Sequence, residues 1–285
     1  MIKKAIIPVA GLASRFLPAS KVIPKTMFPV VDRPIIQVLV EEAVSAGIKE
    51  IAIVISKGQE IVKHHFADGE NLKKILKKRD KNDALHALEQ LSHLAKIRFF
   101  MQKQPKGDGH ALLSTGNFLN KGEACLVLFG DELITTNEGK NAAEHLVAHY
   151  NKVKSPVIGV QKVAPELVEQ YGIVETDRNG NVVSLVEKPR KEVAPSNLAI
   201  TGKYIINREV LDCIKKSKSS TRDGELRLID GLRTYIKGKK IHALTLDGER
   251  FDTGNKLGLI KANIYFGLRD KIIGKALRQY IKESR

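Results

Sequence analysis

Lys3-Lys4-Ala5-Ile6-Ile7-Pro8-Val9-Ala10 runs directly into Gly11-Leu12-Ala13-Ser14-Arg15, and Ile23-Pro24-Lys25 follows eight residues later. The first segment is short, apolar and ends on small residues, which predicts a buried strand leaving the core at a loop. Ala10 and Gly11 have almost no side chain, so backbone N–H groups there can approach a phosphate or a base closely. Arg15 supplies a rigid fork of donors and Lys25 a point charge. Together they form a chemically sensible polyphosphate site. The same residues also fit a strand ending in a turn, with Arg15 and Lys25 as solvated surface charges. The commonest phosphate loops are absent. GxxxxGK[ST] occurs nowhere, and Gly107-Asp108-Gly109 opens like GxGxxG but has Leu112 where the third glycine belongs. Walker-type NTPases and standard dinucleotide folds are disfavoured on that ground.

Outward from this stretch the pattern alternates. A strand over 3–10 and a long loop lead to a helix over 34–46, opened near Asp32 or Arg33, with Pro34 in its first turn and Gly47 closing it. Strands are predicted over 50–56, 97–101, 124–129, 156–160, 172–175 and 182–187, the last two joined by a turn at 177–180. Helices are predicted over 61–66, 72–96, 109–118, 141–152, 208–215 and 226–237, with a closing helix from about Lys256. Strands alternating with helices imply an α/β fold with a largely parallel sheet. Ligands in such sheets bind beyond the carboxyl ends of the strands, where the Arg15 loop and Asp131 lie.

The 285 residues can bury a large core. Cys125 and Cys213 give no disulfide framework, which suits a reducing cytosol. No stretch approaches the roughly 20 apolar residues of a membrane span. The apolar N-terminal run is broken by Pro8 and Gly11 and stops at Arg15, so it reads as a core strand rather than a signal peptide. The net charge of +16 opens nucleic acid, anionic membrane and polyanionic substrates as partners. Much of the excess lies in short lysine runs such as Lys73-Lys74, Lys77-Lys78 and Lys215-Lys216, with few aromatics interleaved for base stacking. Those runs read as solvated helix faces.

Two carboxylates, Asp131 after an apolar strand and Asp252 after Arg250-Phe251, stand at strand ends. They fit Mg²⁺, which takes oxygen ligands together with substrate phosphates; each also fits a simple turn or helix cap.

These motifs, taken in order, resemble the sugar-1-phosphate nucleotidyltransferases, and in particular the bacterial UTP–glucose-1-phosphate uridylyltransferase branch. The resemblance is carried by Pro8, Ala10-Gly11-Leu12, Ile23-Pro24-Lys25, Val31-Asp32-Arg33-Pro34-Ile35-Ile36-Gln37 and Gly107-Asp108-Gly109-His110-Ala111. It continues through Phe129-Gly130-Asp131-Glu132, Tyr171-Gly172, Val186-Glu187-Lys188-Pro189, Ala194-Pro195-Ser196-Asn197-Leu198-Ala199, Gly202-Lys203-Tyr204 and the run from Asp252-Thr253-Gly254 to Gly258. It covers nearly the whole chain.

The resemblance implies a three-layer α/β/α, Rossmann-like nucleotide-diphosphosugar transferase fold with a mixed, mainly parallel central sheet. It implies one domain over 1–285, with a nucleotide half over about 1–150, a sugar half over about 151–255 and C-terminal helices beyond. The implied reaction joins UTP and glucose 1-phosphate into UDP-glucose and pyrophosphate. Arg15, Lys25 and Asp131 would be catalytic. Ala10, Gly11, Gln102 and Gly107 would bind the nucleotide, Gln102 by offering its amide to a uracil edge. Gly172, Glu187, Lys188 and Ile200 would bind the sugar phosphate, with Ser196-Asn197 nearby. Asp131 and Asp252 would hold Mg²⁺. It further implies a cytoplasmic homodimer or homotetramer, with no nucleic-acid partner and no membrane insertion.

Several positions depart from the family pattern. Ala13-Ser14 stands for Gly-Thr, Thr26 for a glutamate, Asp108 for a leucine, and Arg227 for a glutamine. They leave room for a sister enzyme using a thymidine nucleotide or another sugar 1-phosphate, or for a weakly active regulatory relative.

Overall fold

The computed structural model describes residues 1–137, 139–221 and 223–284; Glu138, Arg222 and Arg285, the last residue of the expected domain, lie outside them. The chain opens with β1 (Lys4–Pro8), then β2 (Pro29–Val30), β3 (Arg33–Pro34) and α1 (Ile35–Ser45). Pro34 precedes α1 rather than standing in its first turn, and no side chain caps the helix there. Gly47, at φ 84°, closes the turn after it. β4 (Glu50–Ile55) and α2 (Ile61–His65) follow as predicted.

The single helix predicted over 72–96 is two, α3 (Glu70–Lys78) and α4 (Asn82–Ser92). Asp80 adopts φ 51° between them and breaks the ladder. Apolar spacing continues through the break because both helices turn the same kind of stripe toward each other, so periodicity alone does not reveal the turn. β5 (Lys96–Met101) comes next, then α5 (Asp108–Leu113). α5 stops five residues short of its expected end.

β6 (Ala124–Leu128), β7 (Glu132–Ile134) and α6 (Ala142–Val153) follow. α6 starts where Asn141 and Glu144 form a reciprocal capping box, with bonds of 2.9 and 2.8 Å. Then come β8 (Val157–Lys162), β9 (Gly172–Thr176) and β10 (Val182–Glu187). The carboxylate of Asp177 accepts from the backbone of Asn179 and Asn181 and holds the β9–β10 turn.

The longest strand, β11 (Leu198–Asn207), was not among the expected elements. It leads into α7 (Arg208–Lys216), α8 (Leu228–Tyr235), β12 (His242–Thr245), β13 (Arg250–Asp252), α9 (Lys256–Arg269) and α10 (Gly274–Glu283).

The main sheet runs β10-β9-β11-β6-β1-β4-β5, with β8 and β12 joined through β11. The four strands β6-β1-β4-β5 are parallel, and so are β8 and β12. β11 runs antiparallel to β6, β8 and β9 and links the two halves. Its pairing with β8 shifts register between Ile200 and Tyr204, around Gly202 at φ 69°.

Alternation along the strands separates two cores. Ile6, Val54, Cys125 and Val127 face one cluster, closed by residues of α5, α7 and α8. Ala5, Ile7, Ile51, Ile53, Leu126 and Leu128 face the other, closed by residues of α1, α6 and α9. The sheet is therefore the middle of three layers, a mixed α/β/α arrangement as expected. No described helix is long and apolar enough to cross a membrane.

Candidate active site

Two adjoining cavities open beyond the ends of the parallel strands. The first, about 430 Å³, is lined by the loop after β1, including Ala10, Gly11 and Ser14, with Lys25, Gln102, Gly107 and Asp131. The second, about 230 Å³, is lined by Arg15, Tyr171, Gly172, Glu187, Lys188, Ile200, Arg250 and Asp252. Asp108, Phe129 and Asp131 line both. Every residue assigned a catalytic, nucleotide, sugar-phosphate or metal role thus lines one of two joined spaces, whereas Ser196 and Asn197 line neither and instead donate to the Val174 and Val163 carbonyls. Arg15 lines the second rather than the first, although its loop begins in the first.

The loop after β1 is held by its turns. Ala13 adopts φ 52°, a conformation that costs a non-glycine residue about 1–2 kcal/mol. Its carbonyl accepts from Ser20 Oγ at 2.8 Å and from Phe16 N–H at 3.0 Å, which stabilises the strained residue. Lys25 reaches across to Asp131 and forms an ion pair with its carboxylate. Thr26 is fully buried, and its Oγ1 has no hydrogen-bond partner among the described residues.

Asp131 and Asp252 converge through a short antiparallel pair. β7 pairs with β13, which sets Glu132 opposite Asp252. Thr253 donates its backbone N–H and its hydroxyl to the Asp131 carbonyl, at 2.8 and 2.9 Å. Between the carboxylates lies Gly254, where a Cβ would stand 2.8 Å from Asp252 Oδ1 and 2.9 Å from Asp131 Oδ2. Only glycine avoids a clash with both oxygens there; Asp252 Oδ1 accepts from the Gly254 N–H at 2.8 Å, and Asp131 Oδ2 carries the Lys25 ion pair. No group of three or more His, Cys, Asp or Glu side chains suited to a metal occurs among the described residues. A two-carboxylate donor set fits Mg²⁺, which completes its shell with substrate phosphates and water.

On the other side of the second cavity β9 and β10 pair Gly172 with Glu187. A Cβ on Gly172 would meet Ile200 Cδ1 at 3.0 Å and Glu187 Oε2 at 3.1 Å. Lys188 follows β10 at φ 46°. Proline at the next position favours extended backbone, so the turned conformation of Lys188 runs against its local preference. Its N–H donates to the Tyr171 carbonyl at 3.0 Å, and that bond holds the turned conformation.

Three features carry no local sequence signal. Arg250 grips Glu132 through two bonds of 2.8 and 2.6 Å and stacks over Tyr171, 4.2 Å from the ring centre. Its Nη1 is buried without a partner among the described residues. Burial pushes the Glu132 carboxyl up to about 7, against the pull of Arg250. Asp108, noted in the sequence as a departure from the family's leucine, accepts from the Leu228 N–H at 2.7 Å. Burial pushes its carboxyl up to about 6, with that hydrogen bond opposing the shift. Gly107 and Gly109 lie against the segment Leu226–Leu228. A Cβ on Gly107 would sit 2.5 Å from the Leu226 carbonyl oxygen, and one on Gly109 would sit 2.7 Å from Arg227 C. Arg227 is turned onto Asp223 and Glu225, its Glu225 contact at 3.3 Å.

The family model described as nucleotidyl transferase matches residues 4–266 of this chain. UTP–glucose-1-phosphate uridylyltransferase 1 of Staphylococcus saprophyticus is 38% identical over 285 residues, covering 99% of this chain and 98% of that protein. UTP–glucose-1-phosphate uridylyltransferase of Bacillus subtilis is 38% identical over 274 residues, covering 95% and 92%. A solved structure described as UTP-bound UGPase from Acinetobacter baumannii superposes with a TM-score of 0.92 at 34% identity, covering all of both chains.

Proposed function

This chain belongs to the nucleotidyl transferase family, and from that premise we propose that it transfers a uridylyl group from UTP to glucose 1-phosphate. The products are UDP-glucose and pyrophosphate. The names of the relatives support both substrates. The observation that carries the reading is the pair of cavities joined at Asp131. A nucleotide in the first and a sugar phosphate in the second bring their phosphates together at that carboxylate.

In the reaction a phosphate oxygen of glucose 1-phosphate attacks the α-phosphorus of UTP. The bond from that phosphorus to the bridging oxygen of the leaving pyrophosphate breaks, and pyrophosphate departs with the electron pair. The nucleophile is already ionised at neutral pH, so no general base and no covalent enzyme intermediate are needed. Both reactants are anions, so the barrier is charge repulsion and positioning.

Ala10 and Gly11 would take the nucleotide through their backbone. Gln102 and Gly107 would take the base. Arg15 and Lys25 would neutralise phosphate charge along the line of attack, Arg15 from the sugar side. Gly172, Glu187 and Ile200 would seat the sugar, with Glu187 accepting from its hydroxyls, and Lys188 would hold its phosphate. Asp131 and Asp252 would hold a divalent cation, Mg²⁺, around the space kept open by Gly254. When bound, such a cation draws charge from the phosphate oxygens and aligns them.

The same reading takes the chain as one catalytic unit, with a nucleotide half to about residue 150, a sugar half to about 255 and helices after it. Two free cysteines suit the cytoplasm. Exposed apolar side chains on α9, such as Leu257, Ile260 and Ile264, suit assembly as a homodimer or homotetramer.

The test is pyrophosphate release across four nucleoside triphosphates and several sugar 1-phosphates, with and without EDTA. UTP with glucose 1-phosphate should give the highest kcat/KM, abolished by EDTA and restored by Mg²⁺. Higher efficiency with another pair would replace the substrates, and full activity in excess EDTA would remove the metal from the scheme.

A further inference from the structure

The amide of Gln102 is held from behind at two points. Gln102 is buried, follows β5 and lines the first cavity. Its Nε2 lies 2.9 Å from the Gly107 carbonyl oxygen and 3.0 Å from His110 Nδ1. A backbone carbonyl can only accept, so the atom facing it is the NH₂ group, and the amide cannot be turned over without setting two oxygens against each other. The second amide proton goes to His110. That bond requires Nδ1 to be a bare acceptor, so His110 is neutral with its proton on Nε2. Burial and the nearby Lys106 ammonium hold the imidazole below its ordinary range and favour this neutral form.

With both amide protons used, Oε1 is the polar atom of Gln102 left for a ligand. Among the described residues none donates to it. We propose that His110 is a positioning residue that, with the Gly107 carbonyl, fixes the Gln102 amide as an acceptor toward the nucleotide and so selects uracil over cytosine. Uracil presents an N–H at ring position 3, which matches an acceptor. Cytosine presents a lone pair there, which opposes it. To serve cytosine the amide would have to turn over, losing the bond to Gly107 and facing its oxygen instead. His110 itself lines neither cavity of the candidate site. It sits on α5, and on its far side lines a separate cavity with Arg208, Asp212 and Lys215.

The inference rests on the reading of Gln102 as the base contact, and three variants separate the two claims. The readout is the ratio of kcat/KM for UTP to that for CTP, with the KM for glucose 1-phosphate as the control for general damage. His110→Phe keeps the ring volume and removes the acceptor. It should lower the ratio about tenfold, the value of one lost hydrogen bond, and leave the glucose 1-phosphate KM unchanged. His110→Asn places an amide oxygen near the Nδ1 position and should restore the ratio. Gln102→Leu should lower it at least as far as His110→Phe. If His110→Phe does not fold, His110→Ala carries the same readout.

An unchanged ratio in the His110 variants, with a lowered one in Gln102→Leu, overturns the role of His110 and leaves the base contact standing. A fall in His110→Asn as deep as in His110→Phe also overturns it. An unchanged ratio in Gln102→Leu overturns the base contact and the proposal with it.

Discussion

At the scale of single residues, the two cavities pose separate electrostatic problems. Lys188 stands in the second, on a turned backbone held by the Tyr171 carbonyl. In the proposed role, a charge-assisted bond from its ammonium to the sugar phosphate would contribute about 1.5–3 kcal/mol, or roughly ten- to a hundred-fold in efficiency. Lys188→Met should lower kcat/KM for glucose 1-phosphate by that factor, while calorimetry detects little change in UTP binding. A collapse of UTP binding at fixed glucose 1-phosphate KM would assign Lys188 to the nucleotide instead. Asp108 tests burial. Its carboxyl rises from 3.8 to about 6 on folding, so between those values the folded chain holds a proton that the unfolded chain has released. Stability from this group is greatest at or below about pH 4, falls as pH rises toward 6, and is level above. Asp108→Asn retains an oxygen for the Leu228 N–H and removes the buried charge. It should raise stability at neutral pH by roughly 1–3 kcal/mol and remove that fall, as followed by urea melts across pH.

At the scale of elements, the site depends on segments distant in sequence that touch backbone to backbone. α5 begins at a glycine pair pressed on the strand-like segment leading into α8. Leu226 N–H donates to the Lys106 carbonyl at 2.9 Å, and His110 N–H donates to the Leu226 carbonyl at 3.3 Å. Gly107 combines φ 96° with a space too small for a Cβ. Gly107→Ala should force these segments apart, lower the melting temperature and raise the KM for UTP. Its effect on the KM for glucose 1-phosphate should be smaller, because Gly172 and Glu187 belong to β9 and β10. Equal losses for both substrates would mean that the two cavities are not independently supported. The capping box on α6 and the Asp177 turn are different in kind. Both are local, and both fall where the residues themselves announce them.

At the scale of the whole molecule, one ion pair ties three elements together. Lys203 on β11 is fully buried and reaches Glu42 on α1 at 2.7 Å, while the other oxygen of Glu42 accepts from Ala143 N–H at 3.2 Å, at the start of α6. Removing one partner leaves a buried charge alone and costs about 3–5 kcal/mol. Lys203→Met should therefore lower the free energy of unfolding by that amount, and adding Glu42→Gln should recover part of it. Denaturant titration of the two variants measures the difference. A single variant as stable as the native chain would mean that water reaches this layer.

Much of this protein could be read from local pattern because the physics there is local. The continuous apolar runs of β1, β4 and β6, the spacing of helices between them, and the small-residue loop at Ala10 and Gly11 depend only on near neighbours. The order of motifs, read through the resemblance, sets Asp131, Glu187, Lys188 and Asp252 at strand ends and Arg15 and Lys25 on the loop after β1. β11 escaped because it is buried among three strands and reads as an apolar run interrupted by Gly202 and Lys203. That lysine makes sense only beside Glu42, far away in sequence. The break at Asp80 escaped because two helices can share one stripe. The grip of Arg250 on Glu132, the seat of Asp108 under Leu228, the open space at Gly254 and the hold of His110 on Gln102 were decided only when the chain closed. Each joins groups whose partners are set by packing, and such contacts leave no period or spacing in the sequence for a local reading to find.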